Sequence, residues 1–230
     1  MRYYLCSSLV DYSMMELHNE FHWIEDLLKH ISFPCHALLV ASSPDDIEKT
    51  KYYAQEIVDV MNKHNLCLSG FDVLDRTNAK STKELIEKAD IIIAMGGHVP
   101  TQNAFFQEID LKKHLQEFCG IWIGSSAGSM NSAALVYAQP ELEGEVIGST
   151  YQRFVHGLGL TEKMMIPHYS SWKNEVVDGF RLLEDVTYPD SQGHTFYLME
   201  DGSYVLGDTE EKIEEVIGKY YVLCDGVIVQ

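Results

Sequence analysis

Apolar residues in the first part of the chain alternate between continuous runs and runs with helical spacing. Residues 2–9 form an apolar run that predicts a first strand. From Met14 to Ile31 apolar residues recur every three or four positions, which predicts an amphipathic helix. A second apolar run at 36–41 predicts the next strand. The order strand, helix, strand is typical of a parallel βαβ unit.

The same alternation continues towards the middle of the chain. The segment Ser43-Pro44-Asp45-Asp46 offers an N-cap, a first-turn proline and acidic residues for a second helix, which extends to about residue 63. A third strand is predicted at 67–74, and Ser81 and Glu84 have capping-box spacing at the start of a short helix. The run 91–95 is apolar throughout, which favours a strand buried on both faces.

A further helix from about 101 to 117 and a strand from 121 complete this alternation. Strands that alternate with helices predict an α/β fold, here a three-layer αβα sandwich with a mostly parallel sheet. The last third is less regular. It contains strand-like segments at 195–199, 204–206, 220–224 and 227–229, which we interpret as an antiparallel extension. The acidic run 210–215 is predicted to be a solvated helix face.

Composition limits the class of protein. With 230 residues, 46% of them hydrophobic, and no linker-like stretch, residues 1–230 are expected to form a single domain. The formal net charge is −18, from 35 acidic and 17 basic residues, which argues against a nucleic-acid surface and against binding to an anionic membrane.

Cysteine usage and the amino terminus favour a cytoplasmic location. The five cysteines include no C-x-x-C pair, and we expect them to be reduced core thiols; they are Cys6, Cys35, Cys67, Cys119 and Cys224. The apolar start of the chain ends at Asp11, too early for a signal peptide, and no run of 18 apolar residues follows.

The segment Gly124-Ser125-Ser126-Ala127-Gly128 follows an apolar strand and precedes a predicted helix. This G-x-S-x-G arrangement is typical of a nucleophile elbow, in which small residues allow a sharp turn that exposes the central serine. We therefore predict that Ser126 is a nucleophile and that the amide of Ala127 lies beside the oxyanion that its attack would form.

The turn Gly96-Gly97 ends the preceding strand, and the carboxyl ends of parallel strands meet at one edge of a sheet. The Gly97 amide is thus a candidate second oxyanion donor. A phosphate-binding turn is less favoured, because the lysine and hydroxyl residue of a P-loop are missing. An ordinary tight turn remains the third interpretation.

A serine nucleophile requires a base and a carboxylate that orients the base. His168 follows the apolar run 164–166, at a predicted strand end, and His98 beside the glycine turn is its nearest rival. Glu200 and Asp201 stand at the end of another predicted strand. Because Asp201-Gly202 is also typical of a two-residue hairpin turn, we predict Glu200 as the acid, with Asp201 as the alternative.

Four short segments together resemble the serine peptidases that include aspartyl dipeptidase (dipeptidase E) and cyanophycinase. Met95-Gly96-Gly97-His98 resembles the Gly-Gly-Gly-Asn turn of that family, and Gly124–Gly128 resembles its Gly-x-Ser-Ala-Gly elbow. Ile166-Pro167-His168-Tyr169 is similar to an Asn-Pro-His-Tyr segment, and Leu198-Met199-Glu200-Asp201-Gly202 is similar to a Leu-Pro-Glu-Gly segment. Their order and spacing agree over about residues 90–202.

The resemblance implies a glutamine-amidotransferase-like (flavodoxin-like) fold and a cytoplasmic peptidase that cleaves dipeptides or small peptides. It implies Ser126 as nucleophile, His168 as base, Glu200 as third residue and Gly97 as oxyanion donor, with no metal or organic cofactor. A homodimer is possible. An esterase and a binding protein without catalytic activity remain alternatives on the same fold.

The chain departs from aspartyl dipeptidase in two places. His98 stands where the family often has asparagine, and the arginine-containing stretch that follows the family's histidine is not recognisable here. A preference for amino-terminal aspartate is therefore not implied. Lys173, Arg181 and Arg153 are the remaining candidates for positive charge near the substrate.

Overall fold

Strands and helices alternate through the first 130 residues in the computed structural model, which describes residues 1–229. The strands are β1 (Arg2–Cys6), β2 (Val10–Asp11), β3 (Glu16–Leu17), β4 (Cys35–Val40), β5 (Leu68–Leu74), β6 (Ile91–Ala94), β7 (Ile121–Ser125), β8 (Leu135–Tyr137), β9 (Phe154–His156), β10 (Met164–Ile166), β11 (Val176–Val177), β12 (Phe180–Arg181), β13 (Thr195–Met199), β14 (Tyr204–Asp208), β15 (Ile213–Ile217), β16 (Tyr220–Cys224) and β17 (Val227–Ile228). The α-helices are α1 (Trp23–His30), α2 (Ile47–Lys63), α3 (Thr82–Lys88), α4 (Val99–Glu108), α5 (Leu111–His114), α6 (Ala127–Met130), α7 (Tyr169–Trp172) and α8 (Tyr188–Asp190). Two 3-10 turns (Ala79–Ser81, Leu115–Glu117) and one π-helical segment (Leu182–Thr187) connect them.

A seven-stranded sheet forms the middle layer, in the order β15-β14-β1-β7-β6-β4-β5. Strands β1, β7, β6, β4 and β5 are parallel to one another, whereas β14 and β15 continue the sheet as antiparallel neighbours. The predicted α/β class with a mostly parallel sheet is confirmed. β1 lies beside β7, so the carboxyl end of the first strand is adjacent to the strand that leads into the serine motif.

Both faces of the sheet are covered, because successive side chains of each strand point to opposite sides. Ile93 and Ile123 lie in a buried cluster with residues of α1 and α2. Ile92 and Trp122, one position earlier on the same strands, lie in a second cluster with α4 and α5. This pattern explains why the run 91–95 is apolar throughout, and it produces the three layers.

The predicted helix over residues 14–31 is wrong in its first half. Val10 pairs with Leu17 in a small β2–β3 hairpin, and only α1 is helical. The Asp11 carboxylate accepts the amide N–H groups of Ser13 and Met14, which folds the chain back. The helical spacing of the apolar residues reflects packing of two different elements against the same layer.

The acidic run 210–215 is likewise not a helix. Its second half begins β15, the edge strand of the sheet, where charged side chains are common because they discourage pairing with other chains. Glu214 accepts the hydroxyl of Tyr3 at 2.9 Å and pairs with Lys163 at 2.8 Å. These two contacts fix the strand at the sheet edge.

The antiparallel extension forms but is divided between two sheets. β14 and β15 extend the central sheet, whereas β13, β16 and β17 join β10 in a separate four-stranded sheet. The chain therefore crosses from one sheet to the other between β13 and β14. This crossing places residues 200–203 next to the end of β1.

Local details differ from the predicted caps. Asp46, rather than Ser43, caps α2 by accepting the amide of Lys49, and Ser81 precedes α3 without a side-chain capping bond. The predicted helix over 101–117 breaks at Asp110, whose φ of 49° is incompatible with a right-handed helix.

The five cysteines are free, but only Cys6 and Cys35 are buried, so the expectation of five core thiols is wrong for the exposed Cys67 and Cys119. Within residues 1–229 there is no helix with both the length and the apolar character that crossing a membrane requires.

Candidate active site

Three neighbouring strands of the central sheet end at the same edge, and each is followed by small polar residues or glycine. β1 is followed by Ser7, β6 by the Gly96-Gly97 turn two residues later, and β7 by Ser126. Since β1, β7 and β6 are adjacent and parallel, these turns lie together. Crevices at the carboxyl ends of parallel strands are the usual binding sites of such sheets.

Ser126 stands in a strained turn between β7 and α6. Its φ of 50° and ψ of −114° belong to a region that L-residues rarely occupy. A Cβ at Gly124 would lie 2.8 Å from the backbone of Ser129, and one at Gly128 would lie 2.7 Å from the carbonyl carbon of Ala94. The two motif glycines are therefore required by close approach of the backbone, as the G-x-S-x-G spacing predicts.

His168 lies beside Ser126. The Ser126 hydroxyl is 2.9 Å from His168 Nε2, and the other ring nitrogen, Nδ1, is 2.6 Å from Asp201 Oδ1. If Nδ1–H donates to the carboxylate, Nε2 is left as the acceptor for the Ser126 hydroxyl. Serine, imidazole and carboxylate thus form one continuous hydrogen-bonded chain.

Glu200, the predicted acid, does not contact the imidazole. Its carboxylate accepts the hydroxyl of Ser170 at 2.7 Å and the Ser170 amide at 3.2 Å. The prediction assigned Asp201 to a hairpin turn, but β13 and β14 belong to different sheets and are not a hairpin. The turn at this crossing directs Asp201 towards His168 and Glu200 towards α7.

Ser7 contacts both His168 and Asp201 in this hydrogen-bonded arrangement, and the sequence analysis missed it. Its side chain is almost fully buried, with 1% exposed. The Ser7 hydroxyl lies 3.0 Å from Asp201 Oδ1 and accepts the His168 amide N–H, also at 3.0 Å. Its position directly after an apolar strand was the available signal, but residues 2–9 were all assigned to that strand.

The electrostatic environment keeps Asp201 ionised. Burial acts to raise the pKa of Asp201, but the hydrogen bond and charge of His168, together with the Ser7 hydrogen bond, outweigh it and lower the pKa below its ordinary value. A carboxylate that is ionised at neutral pH can hold the imidazole tautomer and stabilise an imidazolium.

The two predicted oxyanion donors belong to the region around the serine: Ala127 directly follows Ser126, and Gly97 lines the same cleft. Among the described residues, neither the Gly97 amide nor the Ala127 amide donates a hydrogen bond to another protein group. Ala127 is fully buried. A Cβ at Gly97 would lie 2.7 Å from the Ser42 Cβ, so glycine is needed for the turn to fit there. Unpaired amides next to a nucleophile are suited to bind developing negative charge.

His98, the rival base, is engaged elsewhere. Its Nε2 lies 2.8 Å from Glu145 Oε1 and its Nδ1 lies 2.8 Å from the Thr101 hydroxyl. Glu145 also accepts the amides of Glu141 and Leu142. His98 therefore holds a loop over the cleft.

A cleft of about 880 Å³ opens at Ser126 and His168 and is bounded by Gly97 and His98 on one side. Residues of the β2–β3 hairpin and α2 form another part of its wall. A second cavity, of about 760 Å³, lies at the amino ends of β6 and β7, beside Asp90 and Gly120, and contains no serine. The larger cleft therefore combines the reactive groups with room for a small ligand.

The cationic candidates from the sequence do not line this cleft. Arg153 pairs with Asp190 at 2.8 Å, and Arg181 pairs with Asp185 at 2.6 Å. The Lys173 ammonium lies over the Tyr169 ring, 5.4 Å from its centroid. Lys49 is the cationic residue that borders the cleft, and its side chain is exposed.

Solved structures share this fold. A peptidase from an acI-B1 Actinobacterium superposes with a TM-score of 0.65 at 19% sequence identity, over 97% of this chain and 91% of that chain. A candidate peptidase E from Listeria monocytogenes EGD-e superposes with a TM-score of 0.63 at 14% identity, over 94% of this chain and 98% of that chain.

No curated protein matches the chain. The model of peptidase family S51, in contrast, matches residues 15–214, which include the elbow serine, His168 and both candidate carboxylates. The match covers most of the chain and agrees with the resemblance found in its motifs. The chain therefore belongs to peptidase family S51 and is a serine peptidase.

Proposed function

We propose that this protein hydrolyses dipeptides or other small peptides, with Ser126 as nucleophile, His168 as general base and acid, and Asp201 as the orienting carboxylate. The observation that carries the proposal is the unbroken hydrogen-bonded chain from the Ser126 hydroxyl through both ring nitrogens of His168 to Asp201. This is the arrangement that a serine needs to become a nucleophile at neutral pH.

In the first half of the reaction, Ser126 Oγ attacks the peptide carbonyl carbon while His168 Nε2 accepts the hydroxyl proton. The amides of Gly97 and Ala127 bind the oxyanion of the tetrahedral intermediate. The intermediate then collapses, the C–N bond breaks, and His168 gives its proton to the leaving amine. The acyl group remains as an ester on Ser126.

In the second half, a water molecule attacks the ester carbonyl and His168 accepts one of its protons. Collapse of the second tetrahedral intermediate releases the carboxylic acid and returns the proton to Ser126. Asp201 stays ionised throughout, in agreement with its lowered pKa, and stabilises the imidazolium each time it forms.

The test is intact-mass spectrometry after treatment with a small fluorophosphonate, which forms a covalent adduct only with an activated serine. We expect one adduct on the wild-type protein and none on Ser126→Ala. Ser81→Ala changes a serine that precedes α3 and does not line the cleft, and this variant should label normally. Ser126→Ala should also lower the rate of dipeptide hydrolysis on the order of 10⁴-fold or more.

Two outcomes would contradict the proposal. A folded wild-type protein without an adduct would favour a binding protein that lacks catalytic activity. An adduct at Ser126 combined with rapid cleavage of p-nitrophenyl esters and no cleavage of peptides would favour an esterase.

A further inference from the structure

One part of the cleft wall is aromatic. We call Tyr12, Tyr52 and Tyr53 the aromatic wall; all three line the cleft that contains Ser126. Tyr53 lies edge-on to both of the others, with ring centroids 5.7 Å from Tyr12 and 5.3 Å from Tyr52. Such edge-to-face contacts hold aromatic rings in defined orientations.

The aromatic wall is not part of a core. The exposed fractions are 49% for Tyr12, 60% for Tyr52 and 38% for Tyr53. Leu142, which approaches from the loop held by His98, is 55% exposed and lines the same cleft. Contiguous exposed apolar surface beside reactive groups is typical of a surface that a ligand covers.

The aromatic wall carries no charge at neutral pH. Partial burial, together with the nearby Tyr53 phenol and Glu56 carboxylate, raises the pKa of Tyr12 to about 12, so its hydroxyl stays protonated. One cation, Lys49, and one anion, Glu56, both border the cleft, so that their formal charges sum to zero. A substrate side chain that enters here meets a neutral, polarisable surface.

The surroundings do not favour an acidic side chain. Arg153, Arg181 and Lys173 are engaged outside the cleft, and the protein as a whole carries a formal charge of −18. A carboxylate that leaves water needs a cation or several hydrogen-bond donors close by. Burial of a large apolar ring, in contrast, is favourable in free energy, both because the ring leaves water and because it makes edge contacts with the three tyrosines.

We infer that this peptidase selects small neutral peptides with an aromatic or large aliphatic residue next to the cleaved bond, and that the aromatic wall binds that side chain. The inference rests on the proposed function, because it assigns a substrate class to the cleft beside Ser126. The aromatic wall is then a specificity determinant contributed by the β2–β3 hairpin and α2, whereas the reactive groups come from the strand ends.

The experiment compares kcat/KM for Phe-Ala, Ala-Phe, Asp-Ala, Ala-Asp and Ala-Ala. The better of the two phenylalanyl peptides should exceed the better aspartyl peptide and Ala-Ala by at least about tenfold, the range expected for filling an apolar pocket. Tyr53→Ala should remove most of that advantage, so that kcat/KM falls much further for the phenylalanyl peptide than for Ala-Ala.

Two further variants separate binding from folding. Tyr12→Ala changes the aromatic wall from the hairpin instead of the helix and should reduce the same preference. Phe180→Ala removes a half-exposed aromatic ring outside the cleft and should leave the preference unchanged. Thermal unfolding of each variant shows whether the fold is intact.

Several results would overturn the inference. A preference for aspartyl peptides would do so, and so would equal losses for Phe and Ala peptides in Tyr53→Ala. If these appear while fluorophosphonate still labels Ser126, the proposed function survives and only the substrate class is wrong. If Ser126 is not labelled at all, both fail.

Discussion

The reactive groups and the aromatic wall share one cleft but are built in opposite ways. Hydrogen bonds of 2.6 to 3.0 Å join Ser7, Ser126, His168 and Asp201, which we call the Ser–His–Asp cluster and which lie at strand ends. The aromatic wall makes ring contacts only among its own members and is half-exposed. If the proposed function is correct, the chemistry therefore depends on a few closely positioned groups, whereas substrate choice depends on an exposed surface that can be changed without losing the fold.

The largest effect is expected from substitution of the two neighbouring carboxylates, Glu200 and Asp201. Asp201→Asn should lower kcat on the order of 10⁴-fold, because an amide at that position favours the wrong imidazole tautomer. Glu200→Gln should change kcat by less than about threefold, since Glu200 contacts Ser170 and not the imidazole. Steady-state kinetics on the same dipeptide measure both. The reverse ranking would restore Glu200 as the third residue.

Ser7→Ala tests whether the Ser–His–Asp cluster needs the buried hydroxyl of Ser7. The variant should lower kcat by up to about 10²-fold with KM little changed, because His168 and Asp201 lose a shared anchor while the cleft is untouched. Ser203→Ala is the matched control: Ser203 is equally buried, and its hydroxyl donates to the Lys219 carbonyl instead. If both variants lose stability but keep kcat, Ser7 has only a structural role.

His98→Asn and Glu145→Gln test the loop on the other side of the cleft. Each variant should raise KM by about two- to tenfold with kcat nearly constant, because one partly buried hydrogen bond that holds the loop is lost. The double variant should raise KM no further than either single change. Additive effects would mean that the two residues act separately.

The smallest expected effect is the pH dependence of the contribution that Asp201 makes to folding stability. The pKa of Asp201 is lower in the folded protein than its ordinary value of 3.8, so its interactions stabilise the fold above that value. This contribution is lost as the pH falls through the still lower folded pKa. The difference in free energy of unfolding between wild type and Asp201→Asn, measured by denaturant titration, should therefore shrink as the pH falls below about 4. A difference that grows on acidification would contradict the assignment.

Features that depend on a short stretch of sequence could be predicted, whereas features that depend on packing between distant segments could not. Ser126 and the paired glycines were predictable, because a sharp turn restricts residue size within five positions. The central strands were predictable, because a strand buried on both faces must be apolar throughout. The β2–β3 hairpin was not, since the spacing from Met14 onwards fits a helix as well as a hairpin that packs on the same layer.

Asp201 illustrates the limit most clearly. Glu200 and Asp201 are adjacent, both are carboxylates, and no local pattern distinguishes their orientation. The choice depends on the crossing from β13 in one sheet to β14 in the other, which brings this turn to the end of β1. The contacts of Ser7 with Asp201 and of Tyr12 with Tyr53 have the same origin, because each joins residues more than 40 positions apart in the sequence.

The sequence by itself determined the α/β class, the elbow serine, the candidate histidine at residue 168 and the family, since these depend on short-range spacing and on the apolar pattern of strands. The tertiary structure alone decided which carboxylate meets the imidazole, which buried hydroxyl contacts both residues, and which side chains line the cleft. Those choices depend on the order of strands in two sheets, and that order is set by packing between segments far apart in the chain.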